Sequence, residues 1–306
     1  MSIEDYLAEL KDLDRPLVSS GLARLSNLSP NELILFLEAW SFIGTERRRD
    51  IVSRLAELAE ENTSLNFDDV FLACLNDADD AVKVSAMEGL WEYESRSLIE
   101  PLIGLLGGDG PESVRAAAAT ALGKFTLLAE TGELPSRDAD RLEEALTEVI
   151  ENESNQVEVR RRAVEAIAAF SIPKVNQIIR EFYRSDDDRM RVSAIYAMGM
   201  NCDPQWLPLI LEELGNPDAE MRFEAVVACG EMEEEEAVPR LISLIDDPDS
   251  QVRLSAIAAL GKIGGREAED ALRQCMECPD EHIRDAAMQA IEEMEHSVDP
   301  FSFGVE

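Results

Sequence analysis

Seven times along this chain an aliphatic residue followed by a basic one opens the same pattern: Val82-Lys83, Val114-Arg115, Val159-Arg160, Met190-Arg191, Met221-Arg222, Val252-Arg253 and Ile283-Arg284. The last five copies begin 31 residues apart, the first two are 32 apart, and one gap of 45 carries an insertion. A period of this length belongs to stacked helical or strand units rather than to a single globular core, so it restricts the fold more than any other feature. Three residues after each basic position stands alanine, from Ala86 to Ala287, and seven after it a larger apolar residue, from Leu90 to Ile291. Steps of four keep one face of a helix apolar and put the small residue where two helices come close. Gly123, Gly199, Gly230 and Gly261 lie eight after the basic residue. A permissive helix stop is expected there.

A second apolar segment precedes each of these helices, as in Pro101–Leu106, Pro208–Leu211 and Pro239–Ile245. Proline suits a first helical turn because its missing N–H would have no intrahelical partner. Between the two segments lies an acidic turn, where Asp79, Asp187, Asp218, Asp249 and Asp280 stand three before the aliphatic position. A carboxylate there accepts backbone N–H groups and is favoured by the helix dipole, which predicts an N-cap. Each unit reads helix A, short turn, helix B. The run Asp249-Ser250-Gln251-Val252-Arg253-Leu254-Ser255-Ala256-Ile257-Ala258-Ala259-Leu260-Gly261 resembles the HEAT repeat, in the short variety of the phycobilisome-lyase repeat family. The resemblance covers roughly residues 68–296 and implies an all-α, right-handed α-solenoid of HEAT-like helix pairs. It says little about function, because such arrays serve as scaffolds, transport factors, lyases and hydroxylases.

Ahead of the array, Ser2 with Asp5 and Ser29 with Glu32 have capping-box spacing. Asn31–Trp40 reads as one helix, and Arg48–Leu58 as its partner. The expected organisation is capping helices and a degenerate repeat over 1–66, then the repeat array over 67–296, then a tail over 297–306. The insertion at about 126–141, containing Gly132, Pro135 and Ser136, is expected as a longer loop. Val298–Val305 is expected either to fold back over the last repeat or to be a short exposed motif.

Composition decides which partners are excluded. Asp and Glu number 64 against 28 Lys and Arg, a formal charge of −36. Binding to phosphate backbones needs cations to displace counterions, so neither nucleic acid nor an anionic membrane is an expected partner. The excess is polarised: residues 151–191 hold eight acids and eight bases, whereas residues 212–306 hold 25 and 7. An acid-rich surface adapted to salt is a competing account of the charge, and it predicts stability rising steeply with molar salt. The start Met1–Leu7 has no basic or apolar leader character, no stretch reaches the ~20 apolar residues of a membrane helix, and five scattered cysteines are no disulfide framework. A cytoplasmic setting is expected.

Candidate chemistry is sparse. The resemblance implies that the family's di-iron hydroxylases carry His-Glu directly after the basic position of helix B. Here that place holds Arg161-Arg162, Val192-Ser193, Phe223-Glu224 and Leu254-Ser255, and the only histidines are His282 and His296. A non-haem iron site needs imidazole beside carboxylate, so this activity is not expected. Cys275 and Cys278 form a lone Cys-x-x-Cys with no second pair to complete a zinc site, and they read better as core and turn residues. Neither a phosphate loop nor a nucleophile elbow is present. The reading is a non-enzyme without cofactor or metal.

Two surface features suggest a binding role. On helix B at 100° per residue, positions one and five after the basic residue point away from helix A. In consecutive copies these are Val192 and Tyr196, Phe223 and Val227, Leu254 and Ala258, followed by Asp285 and Gln289 as a solvated cap. If helix B lines the concave side, an apolar stripe faces a groove; the competing account is that the stripe packs on neighbouring B helices. Beside it, Glu233, Glu234 and Glu235 form a run that is either a solvated loop or a contact for a basic partner. The expected function is a scaffold or adaptor that grips a protein or peptide with a basic surface. The alternative is an accessory lyase or cofactor-handling factor, which requires a reactive thiol or a chromophore pocket.

Overall fold

The computed structural model describes residues 2–12 and 15–298. The expectation for the tail lies outside the described residues from 299 onward. Among the described residues the chain is all-α, with eighteen α-helices and no strand, and it divides into units of residues 1–166 and 167–306.

The first unit contains α1 (Ile3–Leu10), α2 (Ser19–Leu22), α3 (Pro30–Trp40), α4 (Thr45–Glu61), α5 (Asp68–Cys74), α6 (Asp80–Gly89), α7 (Ile99–Gly107), α8 (Glu112–Glu130), α9 (Ser136–Glu151) and α10 (Val157–Ile167). The second contains α11 (Pro173–Tyr183), α12 (Asp188–Asn201), α13 (Leu207–Glu213), α14 (Ala219–Met232), α15 (Val238–Ser243), α16 (Ser250–Ile263), α17 (Arg266–Cys275) and α18 (Glu281–Val298). Helices alternate A and B, and each B helix lies along the next: α4 on α6 and α6 on α8, then α12 on α14, α14 on α16 and α16 on α18. This is an α-solenoid, in which each pair packs only on its neighbours.

Local chemistry starts the helices where the sequence indicates. Both capping boxes form, at Ser2–Asp5 and Ser29–Glu32. The five turn aspartates all cap: Asp79 accepts from Val82 N–H, Asp187 from Arg189, Asp218 from Glu220, Asp249 from Gln251 and Val252, and Asp280 from His282. The recurring alanines Ala86, Ala118, Ala163, Ala194, Ala225, Ala256 and Ala287 are fully buried.

Two expectations are corrected. Residues 126–141 are not a long loop: α8 runs on to Glu130, α9 begins at Ser136, and only Thr131–Pro135 separates them. No breaker stands between Lys124 and Thr131, and the Thr126 hydroxyl is held by the carbonyls of Gly123 and Ala166, so the helix continues. Nor are the glycines eight after the basic residue helix stops. Gly199, Gly230 and Gly261 lie inside α12, α14 and α16, each facing an alanine of the next B helix. A Cβ on Gly199 would sit 2.6 Å from Ala228 Cα, and one on Gly261 would sit 2.8 Å from Ala290 Cβ. Glycine therefore sets how closely B helices approach.

The true stop in the second unit comes three residues later, where Cys202, Glu233 and Gly264 all have positive φ, of 52°, 53° and 71°. A left-handed residue closes the helix end, and only glycine adopts it without a cost of about 1–2 kcal/mol. Replacing Glu233 by glycine removes that strain but adds about 0.4–1 kcal/mol of unfolded-state entropy. Glu233→Gly is expected to stabilise the protein by about 0.5–1 kcal/mol in denaturant titration, with Glu233→Ala neutral. A clear loss with glycine would mean that the glutamate side chain itself supports the helix end.

Arginines latch neighbouring repeats. Arg222 Nε and Nη2 donate to the two carboxylate oxygens of Asp247 in the next turn, each at 2.8 Å, and its Nη1 donates to Asn216 O at 2.8 Å. Arg48 forms a single-donor version of this latch: its Nη2 donates to Asp77 Oδ1 at 3.0 Å, and Asp77 also accepts from Trp40 Nε1 at 2.7 Å. At other copies the basic residue caps the preceding carbonyls, as Arg160 does at Ile150 O (2.9 Å) and Arg284 at Cys278 O (2.8 Å).

Candidate partner-binding face

Among the B helices of the second unit, α12 is nearly enclosed by its neighbours. On α12, residues 192–195 and 197–199 are all buried. What remains open is a narrow strip at steps of four, because 400° brings the side chain back to the same side with a drift of about 40°.

The strip holds most of the candidate residues. Tyr196 on α12, Phe223 and Val227 on α14, and Leu254 on α16 are half-buried, and Ala258 is exposed. Val192 is not on the open strip: it is only 5% exposed. For this residue the structure shows burial within the packed helices rather than a place on the open strip. Glu233, Glu234 and Glu235 lie past the C-terminal end of α14, Glu233 and Glu235 exposed and Glu234 half-buried. They stack at the inter-repeat loops: the carboxylates of Glu231 and Glu233 act on Cys202 from one repeat away, and Glu235 Oε1 lies 3.9 Å from where a Cβ on Gly265 would be. The acidic run thus rims one end of the strip rather than lining it.

The count of one and five stops a turn short. Position nine holds Met200, Glu231, Lys262 and Glu293, spaced by 31, and Lys262 Nζ pairs with Glu231 Oε1 at 2.6 Å. Extending the same angular count by one turn would have found them. Asp285 and Gln289 are both exposed, as a solvated cap requires, and they also line a groove of about 360 Å³ together with Leu254 and Ala258.

In the first unit the B face differs. Trp91, 58% exposed, stands with Met87, Thr120 and Lys124 around a groove of about 260 Å³. Lys124 donates to the carbonyls of Leu90 and Trp91, and burial pulls its ammonium down to about 8. The basic cluster is neutralised within α10: Arg161 pairs with Glu158 at 2.9 Å, and Arg162 bridges Glu158 and Glu165, both at 2.8 Å.

Four of the five thiols are poorly suited to chemistry. Burial raises Cys74 and Cys275, pushes Cys229 up to about 12, and raises Cys202, where the carboxylates of Glu231 and Glu233 add to it. The thiolate is the reactive form, so raised values make these residues weak nucleophiles at neutral pH. Among the described residues no group of three or more His, Cys, Asp and Glu is placed to hold a metal ion. No helix of the described residues is long and apolar enough to cross a membrane.

Comparison with known proteins gives the fold a family. No curated protein sequence matches the chain. Among solved structures, the complex of CpcE and CpcF of phycocyanin lyase from Nostoc sp. PCC7120 is similar at 18% identity and a TM-score of 0.56, over 92% of this chain and 96% of that one. Human deoxyhypusine hydroxylase aligns at 18% identity and a TM-score of 0.34 over 96% of both chains. YibA of Escherichia coli aligns at 16% identity and a TM-score of 0.45, over 78% of this chain and 96% of that one. A family model described as HEAT repeats matches residues 69–151 and 207–292, together more than half of the sequence. With its stacked helix pairs, capped turns and interlocking B helices, the chain belongs to the HEAT-repeat family.

Proposed function

We propose that this protein is a non-catalytic scaffold that grips a basic protein or peptide along the B-helix face of its second unit. The reading rests on the open strip of Tyr196, Phe223, Val227, Leu254 and Ala258, which stays partly uncovered beside the fully buried Ala194, Ala225, Val226, Ala256 and Ile257 of the same helices. Apolar strips of this kind mark binding surfaces. Carboxylates around the strip favour cationic partners and speed their encounter, and residues 212–306 carry the surplus acids.

The likeness to phycocyanin lyase is a likeness of fold. The lyase-like alternative needs a reactive thiol, and burial works against one at Cys74, Cys202, Cys229 and Cys275.

The test uses fluorescent arginine-bearing amphipathic peptides against sequence-matched acidic ones, titrated into the full chain. Basic peptides are expected to bind more tightly, with affinity falling as salt rises. Phe223→Ala should weaken them about tenfold, the loss of one well-packed aromatic contact. Equal affinity for the acidic set, or indifference to Phe223→Ala in a protein that remains folded, would overturn the proposal.

A further inference from the structure

The groove between α16 and α18 has a floor and two charged ends. Leu254 and Ala258 from α16 meet Ala286 and Ala290 from α18 along its length. Asp285 stands toward one end and Glu293 toward the other, both exposed. Neither carboxylate has an ion-pair partner among the described residues, whereas Glu231, two repeat registers before Glu293, is neutralised by Lys262. Gln289, between them, donates to Glu293 Oε1 at 3.4 Å. An apolar trough with an unpaired anion at each end is complementary to a chain that carries two cations joined by aliphatic stems. Arginine and lysine have such stems and bury them readily while the head stays in water.

The spacing of the anions restricts the ligand. Asp285 and Glu293 are eight residues apart on one helix, which at 1.5 Å per residue is about 12 Å. An extended peptide advances about 3.3 Å per residue and alternates its side chains, so residues four apart share a face at about 13 Å. Residues three apart point to opposite faces, and residues two apart reach only about 7 Å.

We infer that this groove binds an extended peptide segment of a partner protein lying along α18, with arginine or lysine at positions i and i+4, one head at Asp285 and the other at Glu293. This rests on the basic-partner reading above and names the pattern that its last two repeats would recognise.

The experiment measures fluorescence anisotropy of serine–alanine nonapeptides carrying two arginines four, three or two residues apart, with the full chain at low salt. The i,i+4 peptide is expected to bind about tenfold more tightly than the i,i+3 peptide. Asp285→Asn and Glu293→Gln should each weaken it about tenfold and abolish the spacing preference, with melting temperatures unchanged, because both residues are exposed. Equal binding of the three spacings overturns the inference, as does a preference that survives both substitutions. The two readings fail separately. Basic peptides sensitive to Phe223→Ala but blind to spacing would retain the broad reading and reject this groove. A spacing preference lost on Asp285→Asn but untouched by Phe223→Ala would do the reverse.

Discussion

Asp247→Ala is expected to cost the second unit about 3–5 kcal/mol, the penalty for leaving one partner of a buried ion pair alone. The Arg222 and Asp247 side chains are 11% and 4% exposed, so solvent offers the stranded guanidinium little relief. The carboxylate also accepts the Asp249 N–H at 2.8 Å, so the turn before α16 loses its internal tie at the same time. At about 2–4 °C per kcal/mol for a unit of this size, the melting transition of the second unit should fall by roughly 10 °C. Asp247→Asn keeps an acceptor for that N–H and should lose less. A shift below about 1 kcal/mol for alanine would place the latch among ordinary surface pairs.

The same pair makes the unit sensitive to acid. Burial alone would raise the Asp247 carboxyl, but hydrogen bonds from Arg222 and the Asp249 N–H, with the nearby charge of Arg222 and Arg253, hold it below its ordinary value. A carboxyl lowered in the folded state stabilises fully above its unfolded value near 4, and that contribution disappears as pH falls through the folded value. The wild type should therefore lose stability more steeply than Asp247→Asn below about pH 4.

Gly199→Ala is the second large effect, and its sign is informative. Within an exposed helix the change would gain about 1 kcal/mol from helix propensity. Here the new methyl meets the backbone of α14, with Ala228 Cα at 2.6 Å, and the helices must part. Overpacking of this kind costs about 1–3 kcal/mol or more, so a net loss of about 1–2 kcal/mol is expected. Gly230→Ala is the milder comparison: its methyl would lie 3.2 Å from Ala259 Cβ and 3.3 Å from its Cα, so α16 need shift by only a few tenths of an ångström. The predicted order of stability is wild type near Gly230→Ala, with Gly199→Ala clearly below. Equal values for the two variants would show that the spacing of B helices is set elsewhere.

Much of this architecture was legible in the residues. The 31-residue period, the turn aspartates and the buried alanines fix helix pairs and their starts, because each is a local requirement repeated often enough to be unmistakable. The glycines were misread because a position eight after the arginine is equally compatible with a helix end and with a contact between helices. The actual ends at Cys202 and Glu233 were hidden because neither residue type advertises a left-handed backbone. The continuation of α8 past Thr126 was hidden by Gly132, Pro135 and Ser136, which mark only the following turn and the start of α9. On the candidate face, angular counting located the strip but not the depth of each residue in it: Val192 is buried and Tyr196 half-buried. Asp285 and Glu293 gained significance only once α16 and α18 were side by side.

The glycine–alanine contacts have a consequence for how such a chain changes length. Gly199 meets Ala228, Gly230 meets Ala259 and Gly261 meets Ala290, always 29 residues onward. Excising residues 200–230 would bring Ala259 into the place of Ala228, and the joint would close with the same two residue types in the same register. Whole repeats are therefore interchangeable at the glycine–alanine contact, and a chain with one turn fewer would keep that joint. The length of the B-helix face is then an inherited dimension, set by how many repeats are stacked.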